Sequence, residues 1–506
     1  MHDLIVLSDL HMGRGINPDT RKFYTLENFF FDEDFARLCD YLCRDAANRA
    51  VPFKLIFNGD TFDLLRIDTL PQEHGTPWHE QRFGPPHTPE QAAITISEIM
   101  RGHKAFVRGL GQVLNAGHEV IFLPGNHDIE MQWAPVQAQV RQALMEAIQL
   151  AYGEQAAKDA GPLLRFLPWF YHEPTRIWIE HGCQYDPENS FKYLLRGSLA
   201  NGVAGADAQA VAYVDTEQDM PLGNFFQRYL YNAFGHITFI VPSTRANIRY
   251  VKWLLLNAPS LLFRVIFSHG PFVFQVLRRL SRQSDKAAQR ALEQAHAQAL
   301  EQLSQDSGLS DRLRAIDSLK EVRADAVQAA KSLGWQALKM LSSTLLFAVL
   351  VAGLWFFGLY FITELAVSIG PKALLFLFMT LLLALATAGA ILWLMVGSPV
   401  DVPPRPMRRA AARIAALLDV AVVSFGHSHD EEIWRLDRPE GSRAWYCNTG
   451  TWIAVFTHDV LMPRERVQYT FLRVQGTEAA LMHWSPGRGE PLAVVLLDEG
   501  DPPADL

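Results

Sequence analysis

Five short clusters of residues able to ligate metals follow one another along the chain: Asp9-Leu10-His11, Gly59-Asp60, Gly125-Asn126-His127-Asp128, His181-Gly182 and Gly426-His427-Ser428-His429. An aspartate followed two residues later by a histidine offers one oxygen and one nitrogen to a hard-to-borderline cation. At Gly59-Asp60 the glycine permits a tight backbone turn, so that the carboxylate can bridge two ions. The side-chain oxygen of Asn126 is an uncommon ligand, and the neighbouring His127 imidazole can face the open side of a metal pair, where a substrate oxygen would sit. In the last cluster two imidazoles project to the same side of an extended segment, able to reach one ion each. Any one of these histidines alone would more often be structural or solvated; five ordered clusters together describe a two-metal hydrolytic site.

Such ligands need rigid supports. The first three clusters each follow an apolar, β-favouring run: Leu4-Ile5-Val6-Leu7, Lys54-Leu55-Ile56-Phe57 and Val120-Ile121-Phe122-Leu123. They therefore fall where strands end and loops begin, which is where α/β enzymes place their chemistry. Two further strand-like runs, Val420 to Phe425 and Ala444 to Asn448, flank the last cluster.

The chain has 506 residues, 49% of them hydrophobic, a net charge of -8 and a pI near 6.1. No global basic field draws it to nucleic acid. Its four cysteines, Cys39, Cys43, Cys183 and Cys447, form no CxxC pair and read as reduced cytosolic thiols. No signal peptide is read at Met1-His2-Asp3, so the catalytic part is expected to be cytoplasmic. The apolar excess lies in two runs, Leu345 to Ile362 and Ala373 to Val396. Each is long enough to cross a bilayer core, which takes about 20 helical residues. The turn between them, Thr363 to Lys372, is expected to break at Gly370-Pro371. Lys331 and Lys339 before this hairpin, and Arg405, Arg408, Arg409 and Arg413 after it, place both outer ends in the cytoplasm by the positive-inside rule.

Phe234 to Arg282 combines apolar and aromatic residues with arginines and has no acidic residue. It suits an anionic membrane surface, and equally a set of core-packed helices with basic outer faces. Ser284 to Lys331 reads as solvated helices broken near Gly308. Since ligand clusters lie on both sides of this material, one catalytic domain is split by a long insertion whose ends return to the metal site. The expected divisions are 1–183 for the N-terminal catalytic part, 184–340 for a helical insertion, 341–397 for the hairpin, 398–419 for a basic linker, 420–475 for the C-terminal catalytic part and 476–506 for a tail. The loop from Leu70 to Pro89 is a candidate rim, and its His74, His79 and His87 are too irregularly spaced to suggest a site.

The order, residue types and apolar lead-ins resemble the calcineurin-like metallophosphoesterase superfamily, whose signature is D-x-H, GD-x-x-D, GNH-D/E, H and GH-x-H. Here it reads Asp9-Leu10-His11, Gly59-Asp60-Thr61-Phe62-Asp63, Gly125-Asn126-His127-Asp128, His181 and Gly426-His427-Ser428-His429, and it covers about half the chain. The resemblance implies an α/β fold, a four-layer αββα sandwich, interrupted here by a helical insertion that contains the two-helix transmembrane hairpin. It implies one divalent ion on Asp9, His11, Asp60 and His429, and a second on Asp60, Asn126, His181 and His427. Manganese is the first expectation; iron, zinc or mixed pairs suit the same ligands. His127 would stabilise the transferring phosphoryl group or protonate the leaving oxygen, with Asp128 orienting its imidazole. No protein nucleophile is implied. Asp63 would buttress its loop, and Arg14 reads as solvated rather than as a phosphate ligand.

The expected function is hydrolysis of a phosphoester or pyrophosphate bond by a multi-pass enzyme of an inner or plasma membrane. Its site close to the bilayer suits a phosphorylated, lipid-linked substrate. Bacterial UDP-2,3-diacylglucosamine hydrolases share the superfamily, an analogy at the level of fold. Soluble nucleotides or phosphoproteins are the alternative substrates, and a catalytically silent membrane scaffold or sensor is the alternative of a different class. Long nucleic acid fits the acidic pI poorly. Hairpins and Ala-rich helices leave a homodimer open.

Overall fold

The computed structural model describes residues 2–66, 88–195, 219–229, 232, 239–241, 286–321, 349–396, 405–437, 443–459 and 462–494. The histidine-bearing loop at 70–89 and the basic segment at 234–282 lie almost wholly outside these residues, as do Lys331, Lys339 and the start of the first apolar run. The fold is mixed α/β. Fifteen strands form a seven-stranded sheet in the order β15-β14-β13-β1-β2-β3-β4, a five-stranded sheet β5-β6-β8-β10-β9, and a small sheet β12-β11-β7. Their bounds are β1 Asp3–Leu7, β2 Phe53–Asn58, β3 Glu119–Leu123, β4 Leu164–Phe166, β5 Phe170–Glu173, β6 Ile177–Glu180, β7 Phe239–Val241, β8 Val422–Phe425, β9 Glu431–Asp437, β10 Arg443–Thr449, β11 Ala454–Asp459, β12 Met462–Val467, β13 Thr470–Gln475, β14 Glu478–Ser485 and β15 Glu490–Ala493.

The central residues of β1, β2 and β3 are apolar on both faces because both faces are covered. Ile5, Leu7, Leu55, Phe57, Val120 and Phe122 pack on α1 (Asp32–Arg49), α2 (Pro89–Gly102), α3 (Lys104–Asn115) and α4 (Ala134–Tyr152), through Phe35, Leu42, Ile96, Phe106, Leu110, Val140 and Leu144. Leu4, Val6, Ile56, Ile121 and Leu123 point the other way, into a cluster shared with Ile177 and Ile179 of β6 and Val422 of β8. Each fully buried Leu, Ile or Phe in these clusters contributes roughly 1.5–3 kcal/mol. A short helix α5 (Glu154–Ala160) leads toward β4.

The far side of the five-stranded sheet is covered from within the expected insertion. Helices α7 (Lys286–Ser307), α8 (Asp311–Asp317) and α11 (Arg405–Leu418) bury Ala299, Leu313, Ile316, Met407, Ala411, Ile414 and Leu418 against Trp178, Val423, Phe425 and Tyr446. The break expected near Gly308 is present, with its φ at +69° between α7 and α8, but these helices pack on the domain instead of standing in solvent. Accordingly residues 1–326 and 403–506 form one compact unit, and only 327–402 form another. The boundary drawn at 475 also moves. The expected tail contains β14 and β15, which extend the seven-stranded sheet beyond β13.

In the second unit, α9 (Val349–Glu364) and α10 (Ile369–Val396) form an antiparallel pair. Trp355 of α9 donates to Thr380 Oγ1 of α10 at 3.3 Å and meets the ring of Phe376 at 5.6 Å. Pro371 does not break the chain. It lies in the first turn of α10, where proline's missing N–H has no carbonyl to bond, and the turn is instead at residues 365–368. Lys372 Nζ closes that turn on the Thr363 carbonyl at 2.7 Å. Among the described residues one helix, over Ile369–Thr387, is long and apolar enough to cross a membrane. The described part of α9 is shorter. Of the basic residues after the hairpin, Arg409 and Arg413 are exposed, while Arg408 is buried against Glu432 at 3.1 Å and over the Trp434 ring.

His103, between α2 and α3, ties this scaffold to the loop that follows Asp9 and His11. Its Nδ1 lies 2.9 Å from Asp32 Oδ1, and its Nε2 lies 3.4 Å from Glu27 Oε2 and 3.2 Å from the Gly13 carbonyl. Burial alone would lower its pKa, but the hydrogen bonds and charges of Asp32 and Glu27 raise it from 6.5 to about 10. A folded-state pKa raised in this way gives a stabilisation that is complete below about pH 6.5 and is lost as pH rises toward 10. His103→Gln is expected to destabilise the protein by on the order of 3 kcal/mol near neutral pH. It should also flatten the decline in thermal unfolding midpoint between pH 7 and 10 that the wild type shows; parallel declines in the two proteins would contradict this.

Candidate metal centre

The parallel register of β1, β2 and β3 pairs Leu7 with Phe57 and Phe57 with Phe122, so the three strands finish at one edge. In the other sheet β6 and β8 run parallel, with Ile179 opposite Ser424. All five clusters therefore leave the carboxyl ends of strands. Backbone hydrogen bonds join them: Asp9 N to Gly59 O at 3.1 Å, His11 N to Asp60 O at 2.9 Å, and Gly426 N to His181 O at 3.0 Å.

Two glycines make room for the ligands. A Cβ on Gly59 would lie 2.4 Å from His181 Nδ1, and its φ is +80°; a Cβ on Gly125 would lie 2.1 Å from Asp60 Oδ1. The backbone itself is turned unusually here. Among the described residues eleven non-glycine residues have positive φ, and five of them are Asp9, His11, Asp60, His427 and His429. Asp and His tolerate this region better than most residues, yet each such conformation costs on the order of 1–3 kcal/mol, and clusters of them mark sites where side chains must point in a set direction.

Three groups of potential ligands result: Asp9, His11 and His429; His11, Asp60 and His127; and Asp60, His181 and His427, each with donor atoms within 4.8 Å of one another. All are buried. His11 Nε2 and His429 Nε2 are 2.9 Å apart, and His429 Nε2 is 3.2 Å from Asp9 Oδ1. His181 donates from Nδ1 to the Asn58 carbonyl at 2.8 Å, which leaves Nε2 with its lone pair 3.2 Å from Asp60 Oδ2. Among the described residues that Nε2 has no hydrogen-bond partner. Nor does Asn126 Oδ1, a buried carbonyl oxygen without a donor among the described residues. Unsatisfied buried acceptors cost about 1–3 kcal/mol each, and oxygen and nitrogen lone pairs of this kind fit a divalent cation.

The electrostatics agree. Burial would lower the His11 imidazole, but hydrogen bonds to Asp63 and Asp9 and the charge of Asp60 raise it to about 10; His181 is likewise raised to about 9, mainly by Asp60. Burial would raise the Asp60 carboxyl, but His181 and His127 hold it well below the usual carboxylate range. His429 is the exception, pushed down to about 4 by burial. The carboxylates thus draw positive charge to this point, and a bound cation would supply it by displacing the protons.

The two aspartates outside the metal set exchange their expected roles. Asp128 does not contact the His127 ring. It accepts backbone N–H groups of Gly125 at 2.6 Å, Asp60 at 3.1 Å, Thr61 at 2.8 Å and Phe62 at 3.2 Å, and so binds two of the loops together. Burial and the nearby Asp60 charge raise it to about 7. Asp63 orients the imidazole instead, with Oδ1 3.0 Å from His127 Nδ1, while the same oxygen accepts the Leu65 and Arg66 N–H groups. Its buttressing role is therefore present alongside a second one. Arg14 is not solvated: it is buried, paired with Glu98 at 2.5 Å and stacked on Tyr24.

Sequence reasoning missed two residues. Asn224, on α6 (Leu222–Tyr229), exchanges hydrogen bonds with Asn126: Asn126 Nδ2 donates to Asn224 Oδ1 at 3.0 Å, and Asn224 Nδ2 donates to the Asn126 carbonyl at 2.6 Å. Asp186 lies 3.0 Å from His427 Nε2 through its Oδ2. No motif marks Asn224; Asp186 stands five residues after His181, a weak signal at most.

Comparison with protein-family models and with characterised proteins returns no match.

Gly125→Ala places a methyl against the Asp60 carboxylate, whereas Gly161 faces open space. Gly125→Ala is expected to weaken Mn²⁺ binding about tenfold or more by titration calorimetry, and Gly161→Ala to leave it unchanged. Equal affinities in the two variants would contradict the geometry.

Proposed function

We propose that the chain is a membrane-anchored member of the calcineurin-like metallophosphoesterase superfamily that hydrolyses a phosphoester or pyrophosphate bond. The observation that carries the reading is that strand ends bring three buried groups of aspartate and histidine donors together, each with its atoms within 4.8 Å of one another, along with a buried Asn126 oxygen that no donor among the described residues satisfies. In this reading the two larger sheets and their flanking helices are the superfamily's four-layer αββα sandwich. Asp9, His11, Asp60 and His429 would hold one ion, and Asp60, Asn126, His181 and His427 the other. When bound, divalent ions such as Mn²⁺ supply a nucleophile from water and neutralise charge on phosphoryl oxygens.

The remaining work falls to side chains of this chain. His127, fixed at Nδ1 by Asp63, presents Nε2 to the departing oxygen, where it donates a proton or hydrogen bond. Asp128 keeps the Asp60 and Gly125 loops in register so that the bridging carboxylate does not drift. The backbone N–H of His127 donates to Asp60 Oδ1 at 2.7 Å, which ties the acid group to the ligand loop beside it.

The apolar pair α9 and α10 is read as a transmembrane hairpin, with both outer ends and the catalytic unit cytoplasmic, in an inner or plasma membrane. Its support is an outward display of Phe357, Phe361, Leu374, Leu377, Phe378 and Leu381. Hydroxyls on α10 are satisfied internally, Thr380 on the Phe376 carbonyl at 2.8 Å and Thr387 on that of Leu383 at 2.7 Å, as an apolar medium requires. A tethered site of this kind suits a phosphorylated, lipid-linked substrate better than long nucleic acid.

Detergent-purified full chain with Mn²⁺ is expected to hydrolyse at least one of bis-p-nitrophenyl phosphate, p-nitrophenyl phosphate, UDP-diacylglucosamine and lysophosphatidic acid, with acylated substrates preferred. Asp60→Ala should abolish turnover, and His127→Ala should lower kcat by about 10²–10⁴-fold. Turnover that survives both Asp60→Ala and chelation would overturn the proposal, as would inactivity on the whole panel by a protein that binds no metal.

A further inference from the structure

The two residues that sequence reasoning missed, Asn224 and Asp186, both lie between His181 and the hairpin, in the segment that departs from the catalytic domain. Both touch ligands of the same ion. Asn224 holds Asn126, and Asp186 holds His427. The assignment of the Asn126 amide is forced by the pair. The Asn126 main-chain carbonyl can only accept, so the atom of Asn224 that bonds to it at 2.6 Å is the NH₂ group. The other Asn224 atom is then the oxygen, which accepts the Asn126 NH₂ and leaves Asn126 Oδ1 buried with no donor among the described residues. A similar choice is made at His427: with Nε2 on the Asp186 carboxylate, Nδ1 is the nitrogen left for a cation.

Asn224 and Asp186 are also joined to each other. Asn189 Nδ2 donates to Asp186 Oδ2 at 2.8 Å, and the backbone N–H of Gly223 donates to the Glu188 carbonyl at 2.8 Å. Gly223 is close to Asn189 as well; a Cβ there would lie 2.0 Å from Asn189 Oδ1. The turn after His181 and helix α6 thus form one hydrogen-bonded piece that grips two ligands. The ligands of the first ion are held differently. Asp9 accepts the His427 N–H at 2.9 Å and a hydrogen bond from Ser8, His11 faces Asp63, and the His429 carbonyl accepts from Gln468 at 2.9 Å. Among the described contacts neither Asn224 nor Asp186 reaches Asp9, His11 or His429.

We infer that Asn224 and Asp186 are positioning residues for the second ion alone, so that docking of the departing segment through the 186–189 turn and α6 sets whether the site holds one ion or two. This rests on the dinuclear reading above. Of the proposed ligands, the described contacts of Asn224 and Asp186 reach Asn126 and His427, both in the second ion's set. In Asn224→Ala the Asn126 NH₂ loses its acceptor and the Asn126 main-chain carbonyl its donor, so the side-chain amide is free to turn its NH₂ toward the cation, which repels it. In Asp186→Asn the neutral amide holds His427 less firmly in the tautomer that offers Nδ1.

The test is calorimetric titration of the metal-free, detergent-purified full chain with MnCl₂, together with metal content after gel filtration and far-UV circular dichroism. Wild type is expected to take up two ions. Asn224→Ala should keep one at wild-type affinity and bind the other about 10–100-fold more weakly, with Asp186→Asn showing the same selectivity to a lesser degree. Two ions bound by Asn224→Ala with unchanged affinities would overturn the inference and leave the metal centre standing, and so would equal weakening of both ions with the circular dichroism preserved. Absence of any ion in the wild type would instead overturn the dinuclear reading itself.

Discussion

Four carboxylates, Asp9, Asp60, Asp63 and Asp128, are buried together in one cluster of loops, and most of the architecture can be understood as what makes that burial tolerable. An isolated carboxylate in such surroundings would give up its charge. Each of these is answered in a different way. Asp128 is met by four backbone N–H groups, Asp63 by His127 and two further N–H groups, Asp9 by the His427 N–H and Ser8, and Asp60 by the His127 N–H and the nearby His181. The imidazoles that respond to this field, His11 and His181, hold their protons far more tightly than free histidine does. Removing the protons in favour of a divalent cation is the exchange on which the proposed chemistry depends.

That cluster can exist only where several chain segments end side by side. Parallel pairing of β1, β2 and β3, and of β6 and β8, brings five such ends to one edge, and burial of both strand faces keeps the register from slipping. The glycines at 59 and 125 remove the Cβ atoms that would otherwise occupy the space of His181 and Asp60. Left-handed backbone at Asp9, His11, Asp60, His427 and His429 then aims the side chains inward. The cost of these turns is carried by the sheets behind them.

The ligand clusters and their strands were legible because both signals are local: an apolar run of strand length, followed at once by a glycine or an acid and a histidine. What is set by long-range contact was not. The spacing of Asp63 and Asp128 from His127 gives no indication of which one faces the ring, and the loop geometry settles it in favour of Asp63. Asn224 has no distinguishing neighbours; its importance comes from a partner 98 residues earlier. The helices at 286–317 looked solvated because they are rich in Ala, Gln and Glu, yet Ala295, Ala299 and Leu313 suffice to seat them on the second sheet. β14 reads as tail because its burial is sparse: Leu481 and Trp484, on opposite faces, are buried and the remaining residues are partly or fully exposed. Pro371 reads locally as a breaker, yet the first turn of a helix accommodates it.

In the proposed dinuclear site Asp60 would lie between two ions. Electron paramagnetic resonance of the full chain loaded with two equivalents of Mn²⁺ tests it most directly. The expected result is the broadened spectrum of an exchange-coupled pair, reverting in Asp60→Asn to the resolved hyperfine pattern of isolated Mn²⁺. An isolated-ion spectrum in the wild type at full loading would contradict it.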